Sequence, residues 1–134
     1  MARDWALKLA LNAPIHLVFL LILLIFVNQK HKQTKETMVK HIVMFKLTGT
    51  HAERMQVAQA FKKALEALPE QIDVLQSMEV GINENPDEQW DVVLTAIVPA
   101  MADVSTYANH PAHVAAAGLL AGHKELRGCV DYEF

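Results

Sequence analysis

The sequence lacks several features that would point to common functions. It contains one cysteine, Cys129, which cannot form an internal disulfide and therefore fits a reducing compartment. It has no Gly-rich phosphate loop, no nucleophile elbow and no pattern typical of a cysteine–histidine nucleophile. These absences argue against a P-loop nucleotide-binding protein and against hydrolases that use a serine or cysteine nucleophile.

Basic residues are also scarce in the larger part of the chain. Residues 1–37 carry five basic and two acidic side chains, whereas residues 38–134 carry seven basic and thirteen acidic ones, a net charge of −6. Because phosphate neutralisation needs clustered lysine and arginine, we expect no nucleic-acid binding. The 134 residues are 52% apolar and 20% charged, which suits one globular domain with an added hydrophobic segment.

A long apolar run precedes this domain. Leu9 to Val27 contains no charged residue, and as a helix rising about 1.5 Å per residue it approaches the roughly 30 Å hydrocarbon core of a bilayer. It predicts a transmembrane anchor, and the lysines that follow favour a cytoplasmic domain. The alternative is a true start at Met38, which predicts a cytoplasmic protein. We therefore expect a leader and linker over 1–37 and a folded domain over 38–134.

Residues 38–134 alternate between strand and helix patterns. Thr50 and Glu53 form a predicted capping box at the start of the first helix. The order β-α-β-β-α-β predicts an α+β, ferredoxin-like antiparallel sheet with its helices on one face. The predicted strands are Val39–Leu47, Ile72–Ile82, Trp90–Val98 and a last one marked by Val130, Tyr132 and Phe134; the helices run from Thr50 to Leu68 and, in two pieces, over about Ala102–His110 and Ala112–His123.

Two strands are apolar on both sides. The first has Ile42 and Met44 on its second side, and the third has Val93 and Ile97. One helical layer covers only one face of a sheet, and a face left in water should be polar. The pattern therefore predicts a homodimer in which two sheets pack face to face and close an α/β barrel.

Candidate chemistry clusters between the two later helical pieces. His113 follows Pro111 in the first turn of a helix, where the dipole disfavours imidazolium and favours a neutral ring that can act as a base. Tyr107 could donate a hydrogen bond to a developing oxyanion. His41 lies on the first strand and could line the same cavity. The alternative for Tyr107 and His41 is a plain core position, and for His110 a residue that ends a helix.

A metal site is the alternative to this interpretation. His41, His110 and His113 could offer zinc three imidazoles, with water in the fourth position. Pro111 breaks the continuous helix that would aim two of these rings together, and no carboxylate stands out as a ligand, so no metal is expected. The carboxylates of Glu79, Asp91 and Asp131 could meet across strands, but the simpler interpretation is that they are solvated edge or interface charges.

Three segments carry a resemblance to a known family. Met38–Lys46, Tyr107–His113 with its Tyr-x-x-His-Pro-x-His pattern, and the ending Val130–Glu133 resemble the stress-responsive dimeric α/β barrel (Dabb) family, in the order in which the family has them. The resemblance covers residues 38–134. It implies a ferredoxin-like fold and a homodimeric barrel.

The resemblance also implies a role for the candidate residues. A plant member of the family, olivetolic acid cyclase, closes a polyketide by an aldol step without metal or organic cofactor. Its pattern implies His113 as general base, Tyr107 as the group that polarises the substrate carbonyl, and His41 as a supporting residue. That cyclase has a further histidine on the third strand, where this chain has Val92 or its neighbours.

Three hypotheses on function follow. The first is a dimeric stress-response protein that binds a small, partly apolar molecule beside the sheet, in a cavity lined also by His110, Val43, Phe45 and Val92. The second is a cofactor-free cyclase or lyase of the aldol type on a polyketide-like substrate. The third is a structural dimer module without a ligand.

Overall fold

The structure is a computed structural model that describes residues 14–30 and 37–134. The chain divides into two compact units, and the second runs from Thr37 to Phe134. Within the first unit, helix α1 spans Ile15–Lys30.

Helix α1 does not support the predicted transmembrane anchor. It has 16 residues, which extend about 24 Å at 1.5 Å per residue, short of the roughly 30 Å bilayer core. Among the described residues no helix is both long and apolar enough to cross a membrane. Residues 9–13 of the predicted span Leu9–Val27 lie outside the described part of the chain.

The second unit has four strands and three helices. Thr50 caps α2 as predicted, because its hydroxyl accepts from the N–H of Glu53 while the Glu53 carboxylate accepts from the N–H of Thr50. The residue before Pro111 is extended, and this separates α3 from α4. The elements are β1 (Val39–Leu47), α2 (His51–Glu66), β2 (Ser77–Ile82), β3 (Val92–Val98), α3 (Met101–Asn109), α4 (Pro111–Gly118) and β4 (Lys124–Glu133).

The strands form one antiparallel sheet in the order β2-β3-β1-β4. The central strand β1 pairs with β3 through partners such as Val43 and Leu94, and with β4 through partners such as His41 and Asp131. This topology confirms the predicted ferredoxin-like α+β fold. It also makes the first and last strands of the domain neighbours.

Three strand boundaries differ from the prediction. β2 begins at Ser77 rather than Ile72, because a short 3-10 helix over Leu68–Glu70 and a turn occupy the preceding residues. Ile72 and Leu75 are both buried, so they anchor this loop in the core. β3 begins at Val92 rather than Trp90, and β4 starts earlier than predicted, because it pairs along the whole of β1.

The core lies between one face of the sheet and the helices. The side chains of β1 alternate between buried and half-buried positions, and those of β3 alternate in the same way. Burial of apolar side chains at about 25 cal/mol per Å² is the main stabilising term for such a layer. The fully covered members include Val39, Val43, Phe61, Leu65, Leu68, Val80, Val98 and Tyr107.

The opposite face of the sheet carries apolar side chains that this chain does not cover. Val93 on β3 is 38% exposed, and Val130 on β4 is 60% exposed. Leu126 and Tyr132 of β4 are exposed on the same side, because they alternate with Arg127 and Asp131. A continuous apolar face of this kind marks an interaction surface.

Asp91 is a buried carboxylate that joins two other segments by hydrogen bonds, and it is not the solvated edge charge that the sequence predicted. It is 8% exposed, and its carboxylate accepts from the backbone N–H of Leu47 at 2.7 Å and from Nε of Arg54 at 2.9 Å. It thus joins the segment before β3 to the end of β1 and to α2. A buried charge is stable only when it is paired and hydrogen-bonded in this way.

Candidate functional site

The break between α3 and α4 places the histidines of the Tyr-x-x-His-Pro-x-His segment. His110 caps α4, since its Nδ1 accepts from the N–H of Ala112 at 3.2 Å. Pro111 supplies the fixed φ of the first helical residue. His110 therefore has one ring nitrogen committed to the helix, and its predicted role in ligand contact stays a prediction.

His113 lies in the first turn of α4 and is half-buried. Its Nδ1 is 2.8 Å from the carbonyl oxygen of Ala108, and because a carbonyl only accepts, Nδ1 carries the hydrogen. Burial lowers the pKa of His113, the bond to Ala108 opposes this shift, and the electrostatic influence of the nearby His41 and Arg127 adds to it. The ring is therefore neutral near pH 7, with the lone pair of Nε2 available as acceptor or base.

Tyr107 is fully buried between the two histidines. Its ring centroid is 4.4 Å from that of His113 and 5.9 Å from that of His41. Its hydroxyl has no hydrogen-bond partner among the residues that the structure describes. Burial raises the pKa of Tyr107, so the hydroxyl stays protonated and can donate.

His41 is held by a carboxylate that the sequence analysis did not assign to the site. It is buried on β1, and its Nδ1 is 2.5 Å from Oδ1 of Asp131, its register partner on β4. The Sγ of Cys129 lies 3.7 Å from the same nitrogen and 3.8 Å from Oδ1 of Asp131. The signal that could have found both residues is the pairing of first and last strands in a ferredoxin-like sheet, combined with alternation along β4.

The other predicted cavity residues belong to the core. Val43 and Val92 are each 2% exposed and Phe45 is 7% exposed. The ring of Phe45 packs edge-to-face on Phe61, with centroids 5.6 Å apart. The structure thus places these three side chains in the packed layer beneath the helices, and their contact with a ligand stays a prediction.

An open, polar cleft of about 460 Å³ lies near the other end of β1. Its charges already pair with one another, through Arg54 with Asp91 and Lys46 with Glu125. None of the predicted site residues lines it. The cleft is lined by Lys46, Leu47, Thr48, Gly49, Arg54, Glu88, Gln89, Asp91 and Glu125. The candidate site is therefore the group formed by Tyr107, His113 and His41, called the Tyr107 cluster, and not this cleft.

The three-histidine metal set is not the group that the structure brings together. His110 uses Nδ1 to accept from the N–H of Ala112 in α4, and His113 uses Nδ1 to donate to the carbonyl oxygen of Ala108 in α3. Among the described residues, the side chains that converge with spacing suitable for a metal ion are His41, Cys129 and Asp131.

A four-stranded antiparallel sheet with helices on one face, and a histidine–tyrosine cluster beneath them, defines the class as a ferredoxin-like α+β domain. The chain belongs to the family described as the stress-responsive A/B barrel domain (Dabb), whose family model matches residues 39–134. This confirms the resemblance drawn from the three sequence segments. No curated protein matches the sequence.

Solved structures extend the comparison. The chain is 50% identical to a dimeric protein of unknown function and ferredoxin-like fold from Bacteroides fragilis, with a TM-score of 0.71 over 72% of this chain and 96% of that one. A Dabb family protein from Mesorhizobium loti is 19% identical, with a TM-score of 0.53 over 72% and 95% of the two chains. A hydroxynitrile lyase from Passiflora edulis is 13% identical, with a TM-score of 0.55 over 72% and 93%. The last two likenesses show the fold alone.

Proposed function

We propose that this protein is a homodimer that binds a small, partly apolar molecule next to Tyr107, His113 and His41. The observation that carries the proposal is the buried hydroxyl of Tyr107, which lacks a protein partner among the described residues, beside an imidazole with a free Nε2. A buried unpaired hydroxyl costs about 1–3 kcal/mol, which a ligand that accepts its hydrogen bond would recover.

The donor set indicates the chemistry of the ligand. Tyr107 offers a hydrogen-bond donor and Nε2 of His113 offers an acceptor, while the surrounding core is apolar. A carbonyl compound with an aliphatic or aromatic tail matches all three features. Small-molecule sites in proteins generally bind through apolar contact and use a few polar groups to set the orientation of the ligand.

Dimerisation is supported by the uncovered apolar face of the sheet and by the relative from Bacteroides fragilis, which is dimeric and 50% identical. A second copy turned about a two-fold axis would present the same apolar face and cover both. The cluster around Tyr107 lies on the helical side of the sheet, so it does not compete with this interface.

A second candidate function, a cofactor-free cyclase or lyase, is favoured by the state of His113. Its Nε2 is unprotonated, and its lowered pKa keeps it so near pH 7. It could remove a proton from the carbon beside a ligand carbonyl, while the Tyr107 hydroxyl donates to the developing oxyanion.

The binding proposal is tested with a medium-chain methyl ketone as probe. Titration of the full chain followed by NMR should show saturable binding, and Tyr107→Phe should weaken it about tenfold, the value of one hydrogen bond of roughly 1.4 kcal/mol. His51→Gln, at an exposed histidine, is the matched control. Equal affinity in wild type and Tyr107→Phe would sink the proposal.

The same probe tests the proton-transfer function. In D₂O the wild type should speed exchange of the protons beside the ketone carbonyl, and His113→Gln should abolish this catalysis while His51→Gln leaves it intact. Binding without catalysed exchange would leave only the binding function.

A further inference from the structure

We propose that His41, Cys129 and Asp131 form a binding site for a divalent transition-metal ion, with zinc as the best match. The site does not rest on the proposed ligand-binding function, because no step of that function uses a metal. It shares His41 with the Tyr107 cluster and adds two residues from β4.

Strand register builds the site. His41 and Asp131 are direct partners across the β1–β4 pair, and Cys129 is the partner of Val43, one position further along the same face. Alternation along β4 turns Cys129 and Asp131 to one side and Val130 to the other. Three ligand types from two adjacent strands therefore meet at one place without any loop having to order.

The distances suit a tetrahedral ion. The Cys129 Sγ lies 3.7 Å from Nδ1 of His41 and 3.8 Å from Oδ1 of Asp131. Two ligands held at roughly 2.0–2.3 Å from one tetrahedral centre are roughly 3.3–3.7 Å apart. Nδ1 and Oδ1 are closer, at 2.5 Å, because they share a hydrogen bond. A metal would replace that hydrogen, and the two atoms would separate by a rotation of the partly exposed Asp131 side chain.

The donor chemistry selects the kind of ion. Thiolate, imidazole and carboxylate together match Zn²⁺, whereas Mg²⁺ and Ca²⁺ take oxygen ligands alone. Binding would release the thiol proton of Cys129 to solvent and move the His41 proton from Nδ1 to Nε2. A His–Asp hydrogen bond by itself explains the shortest contact, but it does not explain a thiol placed near both partners.

Access and coordination number follow from the burial. Cys129 and Asp131 are exposed, so an ion can enter from solvent, while His41 is buried and fixed by its strand. Three protein ligands leave a fourth position for water or a small molecule, as in zinc sites that are not purely structural.

The experiment is cobalt binding to the full chain, followed by absorption spectroscopy. Cys129 is the single cysteine of the sequence, so a thiolate-to-cobalt charge-transfer band can come from no other residue. We expect the band to saturate at one Co²⁺ per chain, to disappear in Cys129→Ser, and to need on the order of tenfold more Co²⁺ or greater in Asp131→Asn. Added Zn²⁺ should remove the band.

Further variants distinguish this site from the proposed ligand site and from surface histidines. His113→Gln should leave the cobalt spectrum unchanged, because His113 belongs to the ligand site alone. His51→Gln reports adventitious binding at a surface histidine. His41→Gln should weaken cobalt binding as Asp131→Asn does, and circular dichroism checks that this core variant folds.

A band that persists at full strength in both Asp131→Asn and folded His41→Gln would mean a lone thiol binding cobalt, and would overturn the proposal. Absence of any band in the wild type would overturn it equally. Zinc X-ray absorption gives a reading without variants, since the site requires one sulfur and only nitrogen or oxygen otherwise. Two sulfurs per zinc would contradict it.

Discussion

At the scale of single residues, the ring of Tyr107 stabilises the folded state by packing, whereas its buried hydroxyl destabilises it. Its ring fills the space between two histidines, while its oxygen is buried without a protein partner among the described residues. Binding and catalytic sites often carry such local costs, which the rest of the fold tolerates. The cost is open to measurement because phenylalanine keeps the ring and removes the oxygen.

We expect Tyr107→Phe to raise the free energy of unfolding by about 1 kcal/mol, because it removes a desolvated hydroxyl that makes no bond. Urea denaturation of the full chain without ligand measures this. Ser105→Ala, which removes an exposed hydroxyl from α3, is the control and should change stability by less than about 0.5 kcal/mol. A loss of about 1 kcal/mol or more in Tyr107→Phe would show that the hydroxyl has a stabilising partner.

His113 predicts a pH dependence of stability. Its pKa in the folded protein lies below 6.5, mainly through burial, so the unfolded chain binds more protons at this position than the folded one. Well above pH 6.5 the His113 ring is neutral in both states and does not change the free energy of unfolding. As the pH falls through 6.5 towards the lowered pKa, the unfolded chain takes up the proton first, so the free energy of unfolding decreases.

The measurement is urea denaturation between about pH 8 and about pH 5, in the presence of a chelator. His113→Gln should lose less stability over this range than the wild type does. His51→Gln removes an exposed imidazole and serves as the control. The difference between the two variants in the slope of unfolding free energy against pH gives the contribution of the His113 imidazole. Equal slopes in wild type and His113→Gln would contradict the prediction.

At the scale of elements, short polar contacts fix where the strands and helices begin and end. The Thr50–Glu53 box starts α2, the His110 ring starts α4, and the Asp91 carboxylate joins β1, α2 and the segment before β3. The first of these depends on residues three apart. The last depends on residues 44 positions apart along the chain.

We expect Asp91→Ala to lower the free energy of unfolding by about 2–3 kcal/mol, because it leaves the Leu47 N–H and Nε of Arg54 without their acceptor. Asp87→Ala removes an exposed carboxylate a few residues away and should cost less than about 0.5 kcal/mol. Chemical denaturation of both variants decides the matter. If both variants lost a similarly small amount of unfolding free energy, Asp91 would contribute no more than a surface charge and the prediction would be wrong.

At the scale of the whole molecule, the sheet has one face packed under helices and one face that is apolar and open. Open-face residues such as Val130 and Leu126 are well exposed in the single chain. Water contact of this kind is costly for a contiguous patch, and a second copy removes it. The proposed dimer thus completes the fold and leaves the Tyr107 cluster on the helical side.

We expect Val130→Lys to raise the dissociation constant of the dimer by on the order of a hundredfold or more, because each copy would bury an unpaired ammonium group in the proposed interface. Val114→Lys, on α4, is the matched control, since Val114 is 57% exposed and Val130 is 60% exposed. Sedimentation velocity over a dilution series gives the dissociation constant of the dimer for each variant and for the wild type. A wild-type chain that is monomeric at micromolar concentration would refute the dimer itself.

Much of the fold and part of the site could be predicted from local pattern. The two-residue alternation of Val39 to Leu47 predicted β1 and its buried face, Thr50 with Glu53 predicted the start of α2, and Pro111 predicted the break that puts His113 in a first turn. The strand predicted to begin soon after Pro69 was wrong in its first residues, because Ile72 and Leu75 anchor a loop and not a strand.

The kinds of element, their order and the family could be predicted from the chain alone, because they depend on side-chain periodicity, capping and turn residues within a few positions of one another. The placement of Asp131 and Cys129 beside His41, and the burial of Asp91 as an acceptor between β1 and α2, became visible only in the folded domain. His41 and Asp131 are 90 positions apart. Their meeting depends on the register between two strands, which is set by the packing of the whole sheet and by no local pattern.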